Sequence, residues 1–362
     1  AEDDSGVTVE AEFQVGEYNI VILSAEESDG LETWLQDNGF NVPDGAASAL
    51  EPYVQAETKF FVANVNPEDV TFVNGQAALS PLRIEYTSEE FTLPIRLGLL
   101  NSQGEQDLIV NILAQERYEV SNYDNAFIPT NIRVREGIRT SFGGFYEGLF
   151  EETIAQNPDT VVTEYSWNAS SCDPCPTPPL NEQELTTLGA DVVFPNQGYF
   201  DVTLTRLHYR YTADSADEDL VFVEAAPVIG GRGTPNREGE FEALDTTSGF
   251  GFNNFQGRYA LLNPWTGPLE CQMPNRGFWG GPNGSALPTT MGSMNMALMG
   301  ATPEAADVRA LLAEPIEPLG LVPDVAIDPL TGEATDGEGG ATRRAGSSGC
   351  TLDAAGQSSS TP

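Results

Sequence analysis

Residues 172–179 run Cys-Asp-Pro-Cys-Pro-Thr-Pro-Pro, and no regular element passes through them. Proline has a fixed φ and no N–H, so it cannot join a helix interior or a central ladder. The chain must therefore loop at its midpoint, with two of its 4 cysteines in that loop. A Cys-x-x-Cys pair has three readings. The first is a redox pair, which needs helix N–H groups to stabilise a thiolate; Pro176, Pro178 and Pro179 leave few of those. The second is a zinc site made by Cys172, Cys175, His208 and Cys271, with suitable ligand types but one short spacing. The third is a structural clamp built of disulfides, the usual role of cysteine outside the cytoplasm and the reading adopted. Cys350 lies in a polar tail. Cys172, Cys175 and Cys271 are then an odd set, and one of them needs a partner elsewhere.

The rest of the chain reads as short elements between turns, consistent with 36 glycines and 25 prolines. Val7–Val15 alternates apolar and polar residues, Gly16-Glu17 turns, and Tyr18–Leu23 returns as a hairpin partner. Asp29 opens a short helix carrying Leu31, Trp34 and Leu35, closed by Asn38-Gly39. A second helical stretch, Asp44–Gln55, is expected to be interrupted by Pro52. Lys59–Val65, Leu82–Tyr86, Phe91–Leu100 and Asp107–Leu113 read as strands. A helix is expected over Arg133–Gln156, weakened by Gly143 and Gly144 at about 1 kcal/mol each. Thr160–Trp167, Tyr199–Tyr211, Leu220–Glu224 and Tyr259–Leu262 read as strands, with a short helix at Asn181–Leu188 and another at Pro303–Leu312. The fold class is α+β: antiparallel β-sheets, a few short helices, many loops and an extended C-terminal tail. The expected domains are 1–165, with the sheet and the 133–156 helix, a β-rich Cys/Pro/Gly-loop domain at 166–292, and an extended or disordered tail at 293–362.

Charge excludes several function classes. With 55 acids against 16 Lys plus Arg, the net charge is −39. Such a chain repels phosphates and anionic lipid surfaces, so nucleic acid is not an expected partner. No window has the ~18 apolar residues of a membrane helix. The first residues contain no signal peptide, and the acidic start without Met reads as a processed end. Acidic loops would take calcium if the chain takes any cofactor, although the spacing of Asp324, Asp328, Glu333, Asp336 and Glu338 fits no calcium loop.

The sequence has 1 histidine, His208, between Arg206 and Arg210 on a strand. A Ser-His-Asp triad or Cys-His pair would have to use it, and no Gly-x-Ser-x-Gly signature accompanies it. Gly230–Thr234 lacks the lysine and helix of a phosphate loop. No pair of carboxylates stands out for glycosidase chemistry. The Arg206, His208 and Arg210 stripe reads either as an anion site or, more simply, as cross-strand partners for acids. No catalytic residue is assigned.

Several segments carry a family resemblance: Leu31–Gly39, Ser80–Arg83, Leu93–Leu99, Val161–Tyr165, Cys172–Cys175, Asn253–Tyr259, Asn263–Pro268 and Trp279–Pro282. In this order they resemble an uncharacterised domain-of-unknown-function family of secreted bacterial proteins, common in myxobacteria-like Gram-negatives. The resemblance implies no activity. It implies a further N-terminal region with its own cysteines, to which Cys271 or one of Cys172 and Cys175 would bridge. Gly349-Cys350, after a spacer with Arg343-Arg344, is similar to a myxobacterial C-terminal sorting signal and makes Cys350 a lipidation or processing candidate. The membrane helix and terminal arginines of that signal are missing from this sequence. The expectation is a secreted or cell-surface, non-catalytic protein, a structural or binding subunit of an envelope or extracellular assembly. Its partners would be its own N-terminal region or other copies of itself. The alternatives are a thiol-disulfide redox protein using Cys172 and Cys175 and a calcium-dependent surface protein.

Overall fold

A computed structural model describes residues 6–43, 45–73, 76–102, 104–173, 178–194, 202–232, 241–246, 251, 253–261, 304–327, 334–335, 351–352 and 358–359. The fold is α+β. The chain divides into two compact units, Ala1–Gln106 with Arg210–Val221, and Asp107–Tyr209 with Phe222–Pro362. The break expected near residue 165 therefore falls inside a continuous strand, Thr160–Asn168.

The first unit is built on an antiparallel sheet of β1 (Val7–Val15), β2 (Tyr18–Ala25) and β3 (Phe60–Val65), with β2 central. Two helices, α1 (Ser28–Asp37) and α2 (Ala47–Gln55), bury Leu31, Trp34, Leu35, Leu50, Tyr53 and Val54 against it. Pro52 does not interrupt α2. A carboxylate from outside the helix supports its start: Glu32 accepts the N–H groups of Gly45 (3.0 Å) and Ala47 (2.6 Å). Charge at a helix N-terminus is favourable because the first N–H groups have no intrahelical acceptor.

β4 (Thr71–Val73) and β5 (Gln76–Ala78) form a small hairpin. Two expected strands in this unit do not form as such. Leu82–Tyr86 is irregular, with Ile84 and Tyr86 exposed. In Phe91–Leu100 the strand β6 is two residues long (Thr92–Leu93), paired with Leu220 and Val221, and gives way to a 3-10 turn at Arg96–Asn101. Pro94 cannot donate to a ladder. The N–H groups of Ile95 and Arg96 turn instead to the Asp219 carboxylate, at 2.9 and 3.2 Å.

The second unit contains β7 (Gln106–Ala114), β8 (Arg117–Val120), β9 (Asp124–Phe127), β10 (Ile132–Val134), α3 (Ile138–Gln156), β11 (Thr160–Asn168), α4 (Glu182–Thr187), α5 (Ala190–Val193), β12 (Thr203–Tyr211), β13 (Leu220–Ala225), β14 (Ile229–Gly230), β15 (Asn254–Gln256), β16 (Tyr259–Leu261) and α6 (Val308–Leu311). The main sheet has the order β14-β15-β11-β12-β7. β12 runs antiparallel along one edge of β11; β9 (parallel) and β15 (antiparallel) share the other. Helix α3 starts at Ile138, five residues later than expected, because Ile132–Val134 is a strand parallel to β16. α4 begins with a capping box, Asn181 accepting from Glu184 N–H while the Glu184 side chain accepts from Asn181 N–H.

The expected tail is in part a core element. Residues 304–321 lie across α3 and β10, and Val308, Leu312, Ile316, Leu319 and Leu321 join the cluster built on Phe145, Leu149, Phe150 and Val162. Of the helix expected over Pro303–Leu312, one turn forms among the described residues, Val308–Leu311, with Asp307 as its cap. The glycines of α3 make the room. A Cβ at Gly148 would lie 2.4 Å from the Ala306 carbonyl oxygen, and one at Gly144 would lie 2.8 Å from that of Glu304.

Candidate functional site

Among the described residues, a cluster of titratable groups lies where α3 crosses β11 and β12. Pairing of these strands slips between Thr163 and Tyr165, so Glu164 is the extra residue of a β-bulge. A bulge interrupts strict alternation and re-aims a side chain. Here it turns the Glu164 carboxylate under the helix, 4% exposed, towards β12. Glu164 Oε1 meets His208 Nδ1 at 2.9 Å, and Oε2 accepts from Arg206 Nε at 2.6 Å. His208 Nε2 meets Asp107 Oδ1, on β7, at 3.1 Å. Carboxylate oxygens accept only, so the protonated imidazole, with two N–H groups, is the form that satisfies both contacts. Phe150 of α3 stacks on that ring at 3.9 Å and 16°. Tyr146, one turn earlier, hydrogen-bonds Glu164 as well.

These contacts fix the electrostatics. Burial alone would raise the Glu164 carboxyl, but hydrogen bonds from His208, Arg206 and Tyr146 outweigh it and hold the group at about 2, against an ordinary 4.5. The Tyr146 hydroxyl is pushed far up by burial and by the Glu164 charge. Because the Glu164 value is depressed, its ionisation stabilises the fold in full above pH ~4.5, and that contribution fades as pH falls towards 2. The shift corresponds to ~3 kcal/mol. Glu164→Gln should flatten this part of the stability–pH curve; denaturant titrations of both proteins at several pH values between neutrality and about 2 check it.

A second carboxylate hub lies in the first unit. Asp219 Oδ1 accepts from Tyr53 Oη at 2.8 Å as well as from the two backbone N–H groups, and Oδ2 accepts from Arg96 Nη2 at 3.0 Å. Burial works to raise this carboxyl, and the hydrogen bonds from Arg96 and Tyr53 bring it below the usual range. Beside it is a shallow, open depression of about 300 Å³ lined by Ser48, Ala49, Arg96, Leu99, Leu100 and Ala216. Asp219→Asn should cost about 2 kcal/mol, because the amide cannot accept at both positions. The midpoint of urea unfolding reports it.

The cysteine loop is partly described. Cys172 and Asp173 open the loop, and Cys175, Cys271 and Cys350 lie outside the described residues. The Asp173 carbonyl accepts from the Gln256 side chain, which also donates to the Gly231 carbonyl at 2.8 Å. This holds the start of the loop on β15. His208, the nitrogen ligand of the zinc reading, has both ring nitrogens engaged by Glu164 and Asp107. Among the described residues no three His, Cys, Asp or Glu side chains are grouped to hold a metal ion, and no helix is long and apolar enough to cross a membrane.

The Arg206 and His208 stripe thus takes the simpler of its two readings, pairing across strands with acids of its own sheet. Glu164, Asp107 and Tyr146 were not identifiable as its partners from sequence. One signal was available: a lone charged residue within Thr160–Trp167, a run otherwise suited to burial on both faces.

No curated protein and no solved structure matches the chain. Residues 1–223 match a family described as uncharacterized protein conserved in bacteria (DUF2330). The match covers β1 to β12 and most of β13, including Glu164, Asp107, Arg206, His208 and Asp219; the strap at 304–321 lies beyond it. On this match over more than half its length, the chain belongs to the DUF2330 family of bacterial proteins.

Proposed function

We propose that this chain is a non-catalytic protein of the cell surface or extracellular space, a structural or binding subunit of a larger assembly. The Glu164–His208 cluster carries the reading. The lone histidine, which any triad or Cys-His pair in this chain must use, has both nitrogens held by carboxylates and a phenyl ring over its face. A general base needs a nitrogen free to take a proton from substrate. The first unit also exposes large apolar side chains, among them Phe13 (46%), Phe72 (65%), Ile84 (55%) and Tyr86 (72%). The charge of −39 favours a neutral or basic partner. Sedimentation of natively purified protein tests the reading: an assembly larger than one chain is expected, and a monodisperse monomer at all concentrations overturns it.

The Cys-x-x-Cys spacing supports a second reading, thiol–disulfide exchange at Cys172 and Cys175. Thiol titration of the native protein separates the two. Inert cystines fit the structural reading, whereas two fast-reacting thiols at an oxidoreductase-like potential fit exchange. For the calcium-dependent reading, melting with calcium against chelator decides; an unchanged midpoint removes it.

A further inference from the structure

We infer that residues 304–321 are an exchangeable strap, and that the groove they fill accepts the same strap from a second copy of this chain. The inference rests on the assembly reading and names the partner and the contact.

The groove is specific. Gly144 and Gly148, one turn apart on α3, leave a channel for main chain: the Ala306 N–H donates to the Gly144 carbonyl at 2.8 Å, and the carbonyl of Ala306 lies over Gly148. On the other side the strap pairs with β10 and the residue after it. Arg135 N–H donates to the Leu311 carbonyl and Ala313 N–H to the Arg133 carbonyl, both at 2.9 Å. Glu314 adds an acceptor for the Arg133 N–H at 3.0 Å. Between these two rails Val308 and Leu312 are 3% and 0% exposed. Such a contact is a piece of domain core, and it is identical whichever copy supplies the strap.

The connection permits either supply. β16 ends at Leu261 and the strap begins at Glu304, so 42 residues lie between them. Fully extended, 42 residues span ~140 Å, several times a domain radius of about 15 Å. The choice between own strap and partner strap then follows concentration. A tethered segment has an effective concentration of about mM order, so a dilute chain fills its own groove and a crowded array of chains exchanges straps.

The test disables the intramolecular choice. A tagged full-length chain with Val308→Asp keeps its groove and loses its strap. An untagged full-length chain with Gly148→Leu keeps its strap and loses its groove. Refolded together, they should co-purify at one to one, at least ~10-fold above either variant with an untagged copy of itself, since only the mixed pair completes a groove. Absence of mixed pairing overturns the inference. If native protein is an oligomer and the mixed pair still fails, strap exchange is wrong and the assembly reading stands. If native protein is a monomer while the mixed pair forms, exchange stands and the assembly reading falls.

Discussion

Replacing Glu164 by Gln is expected to destabilise the second unit by about 3 kcal/mol, near the low end for breaking a buried ion pair. The low end follows from the neighbours. Arg206 is 41% exposed on its side chain, so water can take over its charge when the carboxylate goes. His208 is 9% exposed and keeps Asp107 as a partner. What is lost is the ionic acceptor for His208, Arg206 and Tyr146 at once, in a site closed by Phe150. Glutamine keeps the volume, so a packing defect does not confuse the result. The loss should shrink as pH falls from about 4.5 towards 2, where wild-type Glu164 becomes neutral as well. Denaturant unfolding of wild type and variant across that range measures both parts.

Gly148→Ala is the second large effect, and its sign is the informative part. In an exposed helix interior this substitution stabilises by about 1 kcal/mol. Here the new methyl would sit 2.4 Å from the Ala306 carbonyl oxygen and 2.9 Å from Val308 Cγ2. The first neighbour is backbone and cannot rotate away. Either α3 bends or the strap lifts, and lifting it exposes Val308 and Leu312. Full burial of each such side chain is worth about 1.5–3 kcal/mol, so a net loss of ~3 kcal/mol is expected after the helix gain is subtracted. Faster amide exchange at Ala306 and Ala313, whose N–H groups bond to Gly144 and Arg133, would locate the loss in the strap. A stabilised variant would mean that the strap does not rest on α3.

How far these features could be read in advance depended on the range of the interaction. The β1–β2 hairpin and α1 follow from local alternation, helical spacing and the turns at Gly16 and Asn38-Gly39. The capping box of α4 is likewise local. Contacts that set other elements are remote in sequence. Asp219 captures the N–H groups of Ile95 and Arg96 from 124 and 123 residues away, converting an expected strand into a 3-10 turn. Glu32 supports the start of a different helix. Gly144 of the Gly143-Gly144 pair reads as a weakness in α3 by propensity, yet it and Gly148 seat a segment more than 150 residues later, where local sequence shows only a short helix and not the core it joins. The pairing of Arg206 and His208 with acids was legible because a lone basic stripe in an acidic chain has few other neighbours. The bulge that brings Glu164 to them was not, since alternation through Thr160–Trp167 gives no sign of it.

The central claim is that the cluster around the lone histidine serves folding and not chemistry. A double-mutant cycle on Glu164 and His208 tests it most directly, with Glu164→Gln, His208→Gln and the double variant unfolded by denaturant. The structure predicts that both single variants are destabilised and that the residues couple by about 2 kcal/mol. Groups held in place for catalysis behave in the opposite way: removing them commonly relieves electrostatic strain and raises stability. A gain in stability for Glu164→Gln or His208→Gln, or a coupling energy indistinguishable from zero, would contradict the claim.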